Sequence, residues 1–304
     1  EFAMQMVIDA KPQEFSDLIR ISGLSHGTDV WLGNAQTLIE QGLATISTAI
    51  CTRDDIMIYL IQMGLDSEQS FTIMESVRKG KGLKEEWKTE MRAHDVPEWY
   101  IDSCLKIKYM FPKAHAAAYV MMAWRIAYCK VYYPLAYYAA YFSIRATGFN
   151  YEIMCQGRER LTYFQKDYER RKDSLSKKEQ DVYRDKKRSD TLSKKEQDTL
   201  RDMRIVQEMY ARGFDFIPID IYRAKPDRFQ IIDGKLMPAL NTIDGMGDNA
   251  AIAVAEAAKD GKFLSRDDFR QRTKATKTVI DLMGDLGLLG DMPESNQLSL
   301  FDFT

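Results

Sequence analysis

Hydrophobic residues recur at helical spacing through most of the first 145 positions of the chain. The helices predicted from this spacing cover residues 12–21, 34–42, 53–63, 67–79, 84–94, 98–108, 112–133 and 134–145. Asn34 is predicted to cap the second helix, and the first is predicted to end at Ser22-Gly23. The pattern therefore predicts a first region that is nearly all helical.

The longest apolar helix also carries polar residues. Its sequence from Phe111 to Lys130 is FPKAHAAAYVMMAWRIAYCK. Proline fits the first turn of a helix and cannot continue one, so Pro112 begins this helix and Pro134 stops it. Its polar side chains include Lys113, His115 and Arg125. From the pattern alone, a helix buried in the core is the favoured interpretation, and a ligand-binding helix is the alternative.

The segment from 156 to 204 is highly charged and contains a repeat. LSKKEQD occurs at residues 175–181 and again at 192–198. Each copy contains S-x-x-E, the capping-box signature, so Ser176 and Ser193 are predicted to cap two short helices. A helix over residues 158–171 precedes them. The segment is mildly basic and would suit contact with a DNA backbone, but a solvated insertion is the favoured interpretation.

Beyond Gly213 the pattern changes to short strands and then to glycine-rich turns. Strands are predicted over residues 217–222 and 228–232, and Asp233-Gly234 predicts a hairpin into 235–237. Residues 240–251 then follow a helix-hairpin-helix pattern, whose glycines let backbone N–H groups approach a phosphate. Residues 263–287 are interpreted as a degenerate second copy. The predicted DNA-backbone contacts are Gly245, Met246, Gly247, Asn249, Lys274 and Lys277.

Composition limits the classes of function without choosing one. The chain has 304 residues and a formal net charge of −2, so a nucleic-acid site has to be a local patch. Its four cysteines show no close pairing, which argues against a zinc site or disulfide framework and fits a reducing cytosol. No signal peptide or apolar run of membrane-spanning length is present. The chain begins Glu1-Phe2-Ala3, so we expect a piece of a longer protein or a cloning scar.

Four segments resemble the Gram-positive PolC form of the DNA polymerase III alpha subunit. They are Ile21–Trp31 (ISGLSHGTDVW), Ile73–Leu83 (IMESVRKGKGL), His94–Cys104 (HDVPEWYIDSC) and Phe111–Arg145. The resemblance that these segments carry covers residues 13–145 without a gap. Residues 210–301 resemble the duplex-binding region of the same family. Residues 156–204 are longer and more charged than the family pattern, so nothing is carried over to them. The resemblance favours a piece of a longer protein.

The resemblance implies that the first region binds an incoming deoxynucleoside triphosphate (dNTP) and the nascent base pair. Both tasks need fixed positive charge and exposed backbone N–H groups. The implied contacts are Ser25, His26, Thr28, Arg78, Lys79, Lys81, Lys113, His115 and Arg125. For Arg78, Lys79 and Lys81 the alternative is a basic helix end that complements the helix dipole. For residues 22–29 the alternative is an ordinary capped loop.

The resemblance also implies that catalysis lies outside this chain. In the family, the palm carboxylates that hold two Mg²⁺ ions lie upstream of these segments, and the spacing of Asp215 and Asp220 does not suit that site. We therefore expect no catalytic residue, metal or cofactor in this chain, and no DNA synthesis by it alone. Mg²⁺ is expected for the full polymerase.

The last residues include Gln-Leu-Ser-Leu-Phe, which resembles the peptide by which bacterial polymerases bind the sliding clamp. The implied contacts are Gln297, Leu298, Leu300 and Phe301. A short extended peptide with a few apolar anchors suits a groove on a partner. The alternative is a tail that folds back on its own domain.

These expectations combine into a mainly α chain. A polymerase fingers domain (1–150) is followed by a charged helical connector (151–212), a strand hairpin with a helix-hairpin-helix duplex-binding domain (213–292), and an extended clamp-binding tail (293–304). The expected partners are primer-template DNA, dNTP, the β sliding clamp, and palm, thumb and exonuclease domains in a bacterial cytoplasm. Two rivals remain: a non-enzymatic, clamp-tethered DNA-binding adaptor, and a purely structural helical module.

Overall fold

The computed structural model describes residues 2–178 and 192–295, except for the side chains of residues 173–178. By its internal contacts the chain divides into two compact units, Glu1–Ala127 (unit 1) and Tyr128–Thr304 (unit 2). The described residues are mainly α-helical, as predicted, with one small two-stranded sheet. The domain boundaries predicted at 150, 212 and 292 stay predictions. The predicted clamp-binding residues, Gln297, Leu298, Leu300 and Phe301, lie outside the described residues.

Helices of unit 1 surround one apolar core. They are α1 Phe2–Ala10, α2 Phe15–His26, α3 Gln36–Glu40, α4 Arg53–Gln62, α5 Ser67–Arg78, α6 Glu85–Ala93, α7 Glu98–Lys106 and α8 Lys113–Tyr132, the last of which crosses the division between the units. The largest fully buried side chains include Leu24, Ile56, Leu60, Ile73, Met91 and Tyr100. Carboxylates accept backbone N–H groups at the starts of several of these helices: Asp55 accepts from the Thr52 N–H at 2.8 Å at α4, and Asp66 accepts from two backbone N–H groups at α5.

Unit 1 differs from the sequence prediction in three details. Helix α1 was not predicted. Gly23 does not end α2, because its missing side chain lets the helix pack against the Cys51 backbone, where a Cβ would lie 2.5 Å from the carbonyl oxygen. Asn34 does not cap a helix: it is buried, and its carboxamide bonds the Asp29 carbonyl and the Ser103 hydroxyl. A buried amide needs such partners, and tertiary packing supplies them.

The described residues of unit 2 form two apolar cores. Its elements after α8 are α9 Pro134–Ile144, α10 Tyr151–Met154, α11 Arg158–Lys178, α12 Lys194–Ala211, β1 Gln230–Ile232, β2 Lys235–Met237, α13 Asp248–Ala257, α14 Arg266–Thr273 and α15 Lys277–Asp285. One core joins α9 to α12 and includes Tyr138 and Phe142. The other lies among α13, α14 and α15.

The predicted strand over residues 217–222 does not form. Strands β1 and β2 pair antiparallel, with Ile231 opposite Leu236, through the predicted Asp233-Gly234 turn. Before them only Phe216 makes a bridge to Leu236, and the chain then turns as the Asp220 carboxylate accepts the Tyr222 N–H at 2.9 Å. The buried isoleucines after Phe216 pack into the core instead of alternating along a ladder.

Ser176 and Ser193, the equivalent serines of the two LSKKEQD copies, differ in backbone structure. Ser193 caps α12 as predicted, accepting from the Glu196 N–H while Glu196 accepts from the Ser193 N–H. Ser176 does not cap a helix, because α11 runs through it to Lys178. The residues before Ser176 are all compatible with a helix, so α11 continues past this serine. An N-cap requires a helix that begins at that residue, and none begins at Ser176.

No helix in the described part of the chain has the length and apolar character needed to cross a membrane.

Candidate nucleotide and nucleic-acid interfaces

Segments far apart in sequence meet just before α8. The Thr28 N–H donates to the Tyr109 carbonyl at 2.9 Å, and the Thr28 carbonyl accepts from the N–H groups of Lys108 and Tyr109 at 3.1 and 3.4 Å. The bonds between Thr28 and Tyr109 form a short antiparallel bridge between the end of α2 and the residues that lead into α8. The backbone therefore fixes the predicted residues Ser25, His26 and Thr28 beside the start of α8.

The loop after α5 reaches the same place. The Arg78 carbonyl accepts from the Met110 N–H at 3.3 Å. Gly80 packs so closely that a Cβ there would lie 2.6 Å from the Lys108 carbonyl oxygen. This contact brings the loop that carries Arg78, Lys79 and Lys81 to the segment before Lys113 and His115.

Aromatic rings form a stack around His26. The His26 ring centroid lies 4.7 Å from that of Phe111 and 5.9 Å from that of Tyr119, with interplanar angles of 21° and 15°. His115 meets Phe111 in a T-shaped contact at 6.0 Å. Tyr119 is 61% exposed. An exposed set of flat rings offers a surface on which a nucleobase can stack.

Hydrogen bonds within α2 hold the His26 ring. Nδ1 lies 2.8 Å from the Ser22 carbonyl oxygen and 3.1 Å from the Ser25 hydroxyl, which donates to the same carbonyl. Because a carbonyl oxygen only accepts, the contact with Ser22 is a hydrogen bond when Nδ1 carries the proton. Ser25 thus helps to orient His26.

Two of the predicted cations are already paired. Arg78 forms a two-bond ion pair with Glu75, one bond of which measures 2.8 Å, and the Lys79 ammonium lies 2.8 Å from Glu75 Oε2. The bonds from Arg78 and then Lys79 lower the pKa of Glu75 to about 2, so its carboxylate stays ionised near neutral pH. A phosphate at Arg78 or Lys79 therefore has to compete with Glu75.

Lys113 also bonds to carboxylates. Its N–H donates to Asp54 Oδ2 at 2.7 Å, and its ammonium Nζ lies 3.1 Å from Asp55 Oδ1. The Arg53 N–H donates to the Phe111 carbonyl at 3.2 Å. These bonds join the first turns of α4 and α8, so Lys113 helps to fix the position of α8 as well as offering a charge.

Helix α8 is exposed along most of its length. Of its 20 residues only Ala116 and Val120 are buried. Its exposed large apolar side chains are Tyr119, Met121, Met122, Trp124, Ile126, Tyr128, Val131 and Tyr132. The interpretation of α8 as a core helix is therefore wrong for the described residues, because only one narrow face packs on the protein.

Arg125 lies apart from the other predicted contacts. It is exposed, and within residues 2–178 and 192–295 no carboxylate pairs with it. It follows His115 by ten positions on α8, which is a rise of about 15 Å. The structure therefore groups eight of the nine predicted contacts around the start of α8 and leaves Arg125 further along the helix.

The first hairpin of unit 2 has the predicted turn. The Met246 N–H closes it by donating to the Ile243 carbonyl at 3.0 Å, and Met246 is buried. Gly245 has a φ of +79°, which favours glycine. Gly247 is the N-cap of α13. Met246 thus holds the turn together and its N–H is not left for a phosphate.

The first backbone N–H groups of α13 lie before the residue that donates the first hydrogen bond within this helix. That bond runs from the Ala251 N–H to the Gly247 carbonyl at 3.0 Å. The N–H groups of Asp248, Asn249 and Ala250 come before it, and such donors, together with the helix dipole, attract an anion. Asp248 is the first helical residue, not the cap, and its carboxylate accepts from the Asn241 amide at 3.0 Å.

A second hairpin joins α14 to α15, as predicted. Lys274 ends α14 with a φ of +58°, and the Thr276 hydroxyl accepts from the Val279 N–H at 3.4 Å. Lys274 and Lys277 are exposed at this turn. A Cβ on Gly245 would lie 3.2 Å from a Val279 methyl, so the two hairpins pack against each other.

The described residues do not fit a catalytic metal site. Among them no group of three or more histidine, cysteine or carboxylate side chains is arranged to hold a metal ion. Asp215 and Asp220 accept hydrogen bonds from the Phe216 and Tyr222 N–H groups instead.

Sequence reasoning missed the acidic residues that hold the cations. Glu75 precedes Arg78 and Lys79 by three and four positions, a spacing that predicts ion pairs on a helix. No such local signal exists for Asp55 and Lys113, which are 58 positions apart. The first pairing was readable from the sequence, and the second follows only from the packing of α4 on α8.

Comparisons with known proteins match both units. Residues 1–95 match a family model described as the bacterial DNA polymerase III alpha subunit finger domain, and residues 213–298 match one described as a helix-hairpin-helix motif. The chain is 49% identical over 301 residues to DNA polymerase III PolC-type of Caldanaerobacter subterraneus. The corresponding values are 50% over 302 residues for Bacillus cereus and 47% over 300 residues for Bacillus subtilis. Each match takes in 99% of this chain and 20% of the relative, so the chain spans about a fifth of these relatives' length.

The matched region of these relatives includes residues 156–204, because each match takes in 99% of this chain. Described residues of this charged segment, among them Leu161 and Leu200, pack in a core of unit 2. The greater length of the segment relative to the family pattern stays a prediction.

Proposed function

Because the chain belongs to the PolC-type DNA polymerase III family, we propose that it contributes the nucleotide-binding fingers and a duplex-binding region to a replicative DNA polymerase. Unit 1 binds the incoming dNTP and the nascent base pair, and the hairpins of unit 2 hold the primer-template duplex. Phosphoryl transfer and its Mg²⁺ ions belong to carboxylates outside this chain. The whole enzyme works in the bacterial cytoplasm, together with palm, thumb and exonuclease domains.

The observation that carries this proposal is the meeting of polar segments at the start of α8. A dNTP combines a triphosphate with a flat base, so its site needs positive charge and a stacking surface together. The loop after α5 and the first turn of α8 contribute the charge, and the rings around His26 contribute the stacking surface. A purely structural module would have no need to keep these groups exposed beside one another.

For unit 2, the support is the backbone geometry of the first hairpin. A turn that exposes N–H groups at the start of a helix binds phosphate without reading the base sequence. We therefore expect the binding of duplex DNA to fall steeply with salt concentration and to depend little on base sequence.

Gly247→Thr is expected to weaken duplex binding without unfolding the hairpin. At Gly247 the φ of −73° is allowed for any residue, and a Cβ would have no heavy atom within 4 Å. Threonine caps a helix about as well as glycine, yet its branched side chain stands where a phosphate would approach. If one phosphate contact is lost, we expect the affinity for duplex DNA to be roughly five- to tenfold lower near 0.1 M salt. Fluorescence anisotropy measures this affinity.

Two comparisons make this experiment specific. Gly247→Val has nearly the same shape as the threonine variant and should bind equally weakly. Gly245→Val is a poorer test, because the φ of +79° and the nearby Val279 methyl add strain to the fold. Wild-type affinity in both Gly247 variants would show that the hairpin does not contact phosphate. A loss that depends on base sequence would indicate base readout instead.

We further propose that the last residues bind the sliding clamp. Residues 297–301 carry the apolar anchors and the glutamine expected of a clamp-binding peptide. Residues just before the proposed clamp-binding residues are hydrogen-bonded to α14: the Pro293 and Glu294 carbonyls accept from the N–H groups of Arg266 and Asp267 at 2.8 and 3.1 Å. Attachment at a fixed position limits the volume in which the apolar anchors can meet a groove of the clamp.

A peptide of residues 293–304 is expected to bind the clamp of the same organism. Changing Gln297, Leu300 and Phe301 together to alanine should remove most of the affinity, because interface energy concentrates in such anchors. Ser299→Ala, which lies between the anchors, should bind as the natural peptide does. Titration calorimetry measures all three. Equal binding by the natural and triple-alanine peptides, or none by either, would exclude a clamp-binding role for these residues.

A further inference from the structure

The first hairpin has the backbone of a phosphate site but no positive charge of its own. Between Leu240 and Ala251 the sequence contains Asp244 and Asp248 and no lysine or arginine. Two carboxylates close to a bound phosphate would repel it. A cation for this hairpin therefore has to come from another part of the fold.

Helix α12 brings such a cation to the hairpin. The ammonium Nζ of Lys195 lies 3.1 Å from Asp244 Oδ1, 49 positions further along the chain. Both side chains are largely exposed, at 75% for Lys195 and 55% for Asp244, so a ligand can reach the pair. The capping box of Ser193 and Glu196 defines the helix start on which Lys195 stands.

We propose that Lys195 is the cation of the phosphate site at the first hairpin, held beside that site by Asp244 until DNA binds. This inference rests on the proposed duplex-binding function and adds α12 to the binding surface. An exposed ion pair contributes little to stability, so phosphate oxygens can take over the ammonium at small cost. The second LSKKEQD copy then has a function, which is to present its lysine to the hairpin.

Lys195 acts on a phosphate in two ways that an experiment can separate. Its charge cancels the repulsion from Asp244, and its ammonium attracts the phosphate directly. If neutralising Asp244 were its whole role, removal of the Asp244 charge would make Lys195 dispensable. If it contacts phosphate, Lys195 remains necessary when Asp244 is neutral.

The test is the binding of a fluorescent DNA duplex to the 304-residue chain over a range of salt concentrations. Lys195→Gln is expected to lower the affinity roughly five- to tenfold near 0.1 M salt and to reduce the slope of log affinity against log salt by about 0.9, the value for one phosphate. Lys195→Arg keeps the charge and is expected to keep the slope. Lys259→Gln removes an exposed lysine just past the far end of α13 and is expected to leave the slope unchanged.

Asp244→Asn is the second single variant of a double-mutant cycle with Lys195→Gln. It is expected to strengthen binding, because it removes a repulsive charge and frees the Lys195 ammonium. The double variant Lys195→Gln/Asp244→Asn is expected to bind more weakly than Asp244→Asn alone. Equal binding by these two proteins would mean that Lys195 only neutralises Asp244, and the proposal would be wrong.

Failure of this inference is distinguishable from failure of the proposed function. If the wild-type chain does not bind duplex DNA, or if Gly247→Thr binds as tightly as wild type, the hairpin is not a phosphate site. If Gly247→Thr is weakened while Lys195→Gln keeps the wild-type affinity and slope, only the role of Lys195 is wrong. Thermal unfolding followed by circular dichroism checks that each variant is folded.

Discussion

Gly80→Ala is expected to destabilise unit 1 by about 2–5 kcal/mol, combining the strain of a left-handed alanine with a steric clash. Gly80 has a φ of +68°, and its Cβ would lie 2.6 Å from the Lys108 carbonyl oxygen and 3.1 Å from the Lys108 Cα. Both atoms are backbone, so neither can move without moving the segment that leads into α8. The substitution therefore separates the loop after α5 from the start of α8.

Gly82→Ala is the matched control. Gly82 has nearly the same backbone conformation, with a φ of +70°, but the nearest atom to its Cβ is a Leu105 methyl at 3.7 Å. It should lose only about 1–2 kcal/mol, the strain of a left-handed alanine. The difference between the two variants measures the close approach of Gly80 to Lys108.

Tryptophan fluorescence during urea unfolding measures both effects. All four tryptophans of the chain lie in unit 1, at Trp31, Trp87, Trp99 and Trp124, so the signal reports this unit alone. Equal stability of the Gly80 and Gly82 variants would mean that the contact with Lys108 does not hold the loop. The proposal that unit 1 binds dNTP at the start of α8 would then lose its main support.

Arg125→Ala is expected to slow nucleotide incorporation by a full-length polymerase that contains this chain. Arg125 is exposed and, within the described residues, has no carboxylate partner, so its charge is available to a phosphate. Removal of a charged hydrogen bond costs roughly 1.5–3 kcal/mol, which corresponds to about a 10- to 150-fold loss in kcat/KM for dNTP. Single-nucleotide incorporation kinetics measure it.

The other predicted contacts allow a graded comparison. Lys81→Ala and His115→Ala change exposed residues and should impair kinetics without unfolding the protein. Lys113→Ala should affect both kinetics and stability, because Lys113 also bonds Asp54 and Asp55. Arg92→Ala is the control, since its exposed guanidinium already pairs with Glu98 at 2.9 Å. Wild-type kinetics in the Arg125, Lys81 and His115 variants together would exclude α8 from the nucleotide site.

Local patterns predicted most helices, and they failed where a local signal competed with packing. Ser176 has the capping signature of Ser193, yet α11 runs through it because nothing before it breaks a helix. Gly23 looked like a helix end, yet α2 continues because a glycine there permits contact with the Cys51 backbone. In both cases the residue type was read correctly and its tertiary surroundings decided its role.

Burial was harder to predict than helicity. The pattern of α8 favoured a core helix, because an alanine-rich apolar run is usually buried. The structure leaves that helix exposed except at Ala116 and Val120. Periodicity in a sequence reports which residues share a face, but it does not report whether another element covers that face.

The helical character of the described residues, the turn at Gly245 and Gly247 and the cap at Ser193 were predictable from local sequence patterns. The ion pairs of Glu75 were not predicted, although its spacing from Arg78 and Lys79 indicates them. Each of these depends on residues within a few positions of one another, whose interactions the local backbone dictates. Packing between distant segments, by contrast, places Thr28 and Gly80 against residues 108–109 and brings Lys195 to Asp244. These contacts join distant segments, and their position follows from how the helices pack around the cores, which no local spacing encodes.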